Sequence, residues 1–318
     1  MMTATLQERL NDPDGEVRRI ALLDLQYSDE DNFIDLAVKA LADADPRVRA
    51  EAARVLEGYE EDEVVAGLAG LLRDTDEGVR AAAAVTLAEL KEARSGDRLL
   101  PLLEDTDPHV LVSAFRALRE LRREEAFGPA LASLKHESAA VRREAVGVLG
   151  YLRRREAVAS LAAIAASDPE AEVRRIAVGA LGYSTDVSVL PSLVRALGDT
   201  SWQVREEAAG TIGKLALSAG IPDLLKALGD DYWQVRVKAV RSLGKLKGRE
   251  AVPPLIELTG HAMSNLRKET VIALGEIGDA RAIPALEAAL GDSDPDVRKL
   301  ARLALTNLAS AAHQGGST

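Results

Sequence analysis

A Val-Arg pair returns along this chain at a fixed interval. It stands at Val17-Arg18, Val48-Arg49, Val79-Arg80, Val141-Arg142, Val173-Arg174, Val204-Arg205, Val235-Arg236 and Val297-Arg298. Val110-Leu111 and Leu266-Arg267 fill the two gaps. Every step is 31 residues except the 32 between Val141 and Val173. A period of this length marks stacked supersecondary units, each too small to bury its own apolar face. Ten units cover nearly all of the 318 residues.

Within a unit the pattern reads as two helices. Four residues after the reference valine comes a small residue, such as Ala52, Ala208 or Ala301, and eight after it a large one, such as Leu56, Ile212 or Leu305. That spacing keeps one helical stripe buried. Asp45-Pro46, Asp107-Pro108 and Asp294-Pro295 supply an N-cap and a proline at the first helical position. The preceding helix reads like IPDLLKAL from Ile221. Gly150, Gly182, Gly213, Gly244 and Gly275 recur one residue after the large position, which points to a crowded helix crossing or a shared kink. Aromatic residues make up 3% of the chain, and Ala and Leu dominate its apolar content, which favours helix over sheet. The expected fold is therefore all-α: a right-handed αα superhelix of about ten two-helix repeats. One continuous array over 1–310 is expected, followed by a disordered tail over 311–318. The second helices are expected to line its concave face.

Several residues carry a resemblance to a known family. They are Asp168-Pro169 before Val173-Arg174, Val204-Arg205 followed by Ala208, Ala209 and Gly213, and Val297-Arg298 followed by Ala301 and Ala304. The chain resembles the HEAT-like repeats first associated with phycobilisome lyases, over all ten units. The resemblance implies a HEAT-repeat solenoid in which the arginine after the valine reaches an acid at a repeat turn. Arg205 and Arg236 are the arginines so implied, with Asp199 and Asp230 as partners. It also implies a bilin-handling alternative, in which a subunit with its partner attaches or detaches a chromophore on an antenna protein. Tyr151 and Tyr183, each ten residues after a reference valine, are the candidate groove contacts for that reading.

Catalytic chemistry finds little footing. There is no cysteine, so disulfides and thiolate sites are excluded. His109, His136, His261 and His313 form no metal-ligand spacing. Deoxyhypusine hydroxylase resembles this class of solenoid and uses repeated His-Glu pairs around iron, but here only His136-Glu137 occurs. The recurrent Asp12, Asp43, Asp74, Asp105, Asp168, Asp199, Asp230 and Asp292 follow the repeat and are read as turn residues. No catalytic residue, metal or cofactor is expected. The N-terminal sequence shows no leader pattern and no segment reaches membrane-spanning length, so a cytoplasmic protein is expected.

The positions that break the repeat are the candidate contacts. Trp202 and Trp233, the chain's two tryptophans, both stand two residues before a reference valine, and Tyr232 precedes the second. Other repeats put Gly15, Pro46, Glu77, Pro108, Ala139 or Pro295 there, so the fold does not require an aromatic. Lys214 and Lys245 stand where Tyr151 and Tyr183 stand in earlier repeats, and Arg241 and Arg116 share an outward-looking position. Trp202, Tyr232 and Trp233 are expected to form an exposed strip continuous with Lys214, Arg241 and Lys245. The preferred reading is a non-enzymatic scaffold or adaptor for a protein partner. Nucleic acid is the third reading. The region 116–155 holds ten basic and five acidic residues, but the net charge of −11 opposes phosphate binding.

Overall fold

A computed structural model describes residues 5–27, 32–184 and 186–315. The described residues are helices and turns with no strand. They form repeated two-helix units of an α-solenoid. The ten second helices are Gly15–Leu25, Pro46–Val55, Glu77–Ala88, Pro108–Glu120, Ala139–Leu152, Ala171–Leu181, Trp202–Lys214, Trp233–Lys245, Ser264–Ile277 and Pro295–Gly315. They belong to repeats 1 to 10 in that order. The last of them runs into the expected tail, of which 316–318 lie outside the described residues.

The first helices are shorter, and several open on a single 3-10 turn, as Ser218–Gly220 does before Ile221–Ala227. In repeat 4 two 3-10 segments, Ala93–Arg98 and Leu100–Glu104, replace the first helix. Pro101 explains part of this, because it has no N–H to give to a helical ladder.

The chain divides into two compact units, 1–152 and 153–318. The division falls inside the single 32-residue step of the repeat. Within each unit, consecutive second helices pack along one another, while consecutive first helices touch far less. The reference valine, the small residue four later and the large residue eight later are buried, as in Val48, Ala52 and Leu56 or Val235, Ala239 and Leu243.

The recurrent glycines mark close crossings. A Cβ at Gly213 would lie 2.8 Å from Cα of Ser242, and one at Gly244 would lie 2.9 Å from Cα of Ala273. Real side chains do not fit at such distances, so glycine sets how near the second helices of repeats 7, 8 and 9 approach. The helix ends repeat as well. Arg122, Arg153, Ala216 and Lys247 adopt φ of 52–56°, and Gly278 adopts 70°, each twelve residues after its reference position. The left-handed residue lets the next amide reach back, as Gly248 N–H does to the Leu243 carbonyl at 3.1 Å.

Candidate functional site

One edge of the repeats is built from the junction residues. Five residues before each reference position, a side chain accepts from the backbone N–H two residues on. Asp43 does so from Asp45, Asp199 from Ser201 and Asp230 from Tyr232. His136 and His261 do the same through Nδ1, at 3.0 Å each. Histidine at these places is a turn residue with an aspartate's geometry but without its negative charge. Among the described residues no group of three or more His, Asp or Glu is placed to share a metal ion.

The arginines after the valines join one junction to the next. Arg18–Asp43, Arg49–Asp74, Arg174–Asp199, Arg205–Asp230 and Arg267–Asp292 are bidentate, with Nε and Nη2 at 2.6–2.9 Å from the two carboxylate oxygens. The partners in each of these steps lie 25 residues apart. Arg205 therefore takes the role implied for it, with Asp230. Arg236 does not. The residue 25 positions beyond it is His261, which offers no anion, and among the described residues Arg236 makes no hydrogen bond or ion pair. Its Nε is buried without a partner.

The aromatic residues sit on the same edge. Trp202 and Trp233 open their helices. The rings of Trp202 and Tyr232 stack, with centroids 5.6 Å apart and planes at 12°. The Arg205 guanidinium lies 5.6 Å from the Tyr232 centroid. Trp202 is only half-exposed, whereas Tyr232 is 46% and Trp233 39% exposed. The two tryptophans thus have different surroundings: Trp202 rests on Tyr232, and Trp233 walls a hollow of about 400 Å³ that runs to Arg241. Charges of both signs line this hollow, and each has a partner: two pairs form within it, and Lys268 reaches out to Asp294 and Asp296 at 3.0 Å. Arg241 holds Glu269, and Lys238 Nζ lies 3.9 Å from Glu206.

The lysines lie elsewhere on the helices. Trp202 is the first residue and Lys214 the last of a 13-residue helix, a rise of about 18 Å. Lys214 Nζ sits 3.7 Å from the Tyr183 ring centroid, and the Arg153 guanidinium covers the same ring at 4.9 Å. Lys245 ends the next second helix and is exposed. The expected strip is therefore two clusters at opposite helix ends, with Arg241 beside the aromatic one. In the first unit, Arg122 lies over Tyr151 at 5.5 Å and donates from Nε to its hydroxyl at 3.3 Å. Arg116, Arg119 and Arg143 converge on the buried Glu144 at 3.1–3.3 Å.

Sequence reasoning missed Glu206 and Glu269, which pair with Lys238 and Arg241 in the hollow. A signal existed for Glu269. It follows Arg241 by 28 residues, and Glu144 follows Arg116 by the same interval.

The family model for HEAT repeats matches in overlapping windows that run from 3–88 to 221–306. The chain belongs to the HEAT-repeat family. No curated protein matches it. Three solved structures share the HEAT chain's fold. An engineered protein is 23% identical, with 95% of this chain and 98% of that one covered, at a TM-score of 0.53. YibA of E. coli is 19% identical, with 93% and 97% covered, at 0.54. A chain from the structure of Kap95p with RanGDP is 15% identical, with 96% of this chain and 51% of that one covered, at 0.62. At these identities the likeness is one of fold. Among the described residues of this HEAT-repeat chain, no helix is long and apolar enough to cross a membrane.

Proposed function

We propose that the chain is a non-catalytic scaffold that binds a protein partner along the second helices of repeats 7 to 9. The observation that carries this reading is Trp233. It is exposed beside a hollow whose charged side chains are each paired, at a position where other repeats use Gly, Pro, Glu or Ala. A partner would gain buried aromatic area there without leaving a charge unpaired. The greater packing between second helices supports the use of their face as a preorganised surface. The structure of Kap95p with RanGDP offers a HEAT-type chain in a protein complex by analogy only.

The test separates the two tryptophans. Trp233→Ala should leave melting nearly unchanged and weaken a co-purified partner by roughly 30-fold, the size of a ~2 kcal/mol hot spot. Trp202→Ala removes a stacked ring and should lower stability by about 1 kcal/mol or more. A melting loss for Trp233→Ala with unchanged affinity sinks the proposal.

The finer resemblance to phycobilisome-lyase repeats rests on the sequence motifs, and none of the three structures bears that name. It requires a visible-spectrum change when the chain is mixed with an open-chain tetrapyrrole and an antenna acceptor. The cations lying over Tyr151 and Tyr183 leave those rings less open to a bilin. Nucleic-acid binding is disfavoured by the engagement of Arg116, Arg119 and Arg143 on one carboxylate.

A further inference from the structure

One step of the junction edge has a ladder cation facing no acid; at Asp105 the acid is present but is held by Arg73 rather than by Arg80. Nine repeats carry the ladder arginine, and eight of those arginines donate Nη1 to the carbonyl six residues back, at 2.7–2.9 Å. Arg236 alone makes no such bond among the described residues. Its position relative to His261 matches the 25-residue spacing of the five closed steps. Two comparisons within the chain show that this is a lost charge rather than a lost turn. His261 still accepts from Met263 N–H, and its own carbonyl still receives Arg267 Nη1. At the other histidine junction, His136, the residue 25 positions earlier is Leu111, so the cation and the acid are both absent. Only the step from repeat 8 to repeat 9 keeps the cation and lacks the anion.

The groups there are donors. Arg236 is half-buried and carries up to five N–H donors and a fixed positive charge. With His261 Nδ1 accepting from the backbone, the proton of the neutral ring sits on Nε2, a further donor. Asp230 is the acid whose carboxyl Arg236 helps to lower, but Arg205 and the Tyr232 N–H already occupy it. An unpaired guanidinium with a buried Nε is costly to keep, and an oxyanion relieves that cost with two short hydrogen bonds. The unit that holds the step has 20 acidic and 21 basic residues, so its net charge does not repel an anion.

We propose that Arg236 and His261 form an oxyanion-binding site, filled by a carboxylate or phosphate group that stands where aspartate stands in the five closed steps. The proposal deepens the scaffold reading, because Arg236 lies on the helix that begins at Trp233, yet it does not need a partner to be tested. The full chain is melted in chloride, acetate and phosphate at equal ionic strength, and titrated with inorganic phosphate and with hexaglutamate. Wild type should gain more from acetate and phosphate than either variant does. His261→Asp supplies the missing carboxylate, so it should melt higher in chloride and lose the extra response. Arg236→Gln should lose the response and weaken the bound oxyanion at least about tenfold. Tighter binding of hexaglutamate assigns the site to acidic side chains of a partner, and preference for inorganic phosphate assigns it to a phosphate group. The same oxyanion response in wild type and both variants, or none in wild type, overturns the proposal. Loss of partner binding in Trp233→Ala alongside that outcome would leave the scaffold reading intact.

Discussion

An aspartate at a repeat junction does two jobs with one carboxylate. It accepts the amide that shapes its own turn and the guanidinium that arrives from the preceding repeat. Arginine hydrogen bonds hold Asp43, Asp74, Asp230 and Asp292 below the usual carboxylate range, and Asp292 reaches about 2. Burial opposes the shift at Asp199, but Arg174 and the Ser201 amide outweigh it. The sign of the consequence follows from linkage. A carboxyl whose folded pKa is depressed contributes stability above its unfolded pKa of about 3.9 and loses that contribution as pH falls through the folded value. Chemical denaturation should therefore show stability nearly flat from pH 7 to 5 and falling between about pH 4 and 2. Asp230→Asn should flatten part of that acid limb and cost roughly 1.5–3 kcal/mol at neutral pH, because it weakens charge-assisted bonds to Arg205. An unchanged acid limb in this variant would remove Asp230 from the account.

At the scale of the helix, close approach and chain reversal decide which residues are tolerated. Gly244 sits in the middle of a second helix, where alanine is intrinsically better by about 1 kcal/mol. The clash with Ala273 reverses the sign, and Gly244→Ala should cost about 1–3 kcal/mol by overpacking. Lys247 presents the opposite case. It holds φ of 52° where Gly278 serves in the next repeat. Lys247→Gly should gain about 0.5–1 kcal/mol in a denaturant melt, since glycine adopts this conformation without the Cβ penalty. A loss there would show that the lysine's contacts outweigh its backbone strain. The helices and their caps were legible because the stripe Val-Ala-Leu and the Asp-Pro pairs encode local geometry. The left-handed helix ends were hidden, because four of the five positions carry Arg, Lys or Ala rather than the signalling glycine. The open ladder step was present in the sequence as Arg236 and His261. It could not be read until the structure supplied the 25-residue offset between partners.

For the molecule as a whole, the two compact units differ in charge. Residues 1–152 hold 31 acidic and 19 basic side chains, whereas 153–318 are nearly balanced. Composition alone showed that asymmetry, but it did not show that the basic side chains at 116, 119 and 143 are engaged on Glu144. Nor could spacing reveal that Trp202 and Trp233 have different neighbours, since both occupy the same place in the repeat. What separates them is Tyr232, present against Trp202 and without an equivalent against Trp233. The face proposed for a partner therefore lies on repeats 7 to 9 of the second unit. Hydrogen exchange of the full chain, with and without its co-purified partner, tests this most directly. The account predicts slowed exchange in the helices Trp233–Lys245 and Ser264–Ile277 and unchanged exchange over residues 5–27 and 32–152. Slowing confined to that first unit, with repeats 8 and 9 unaffected, would contradict it.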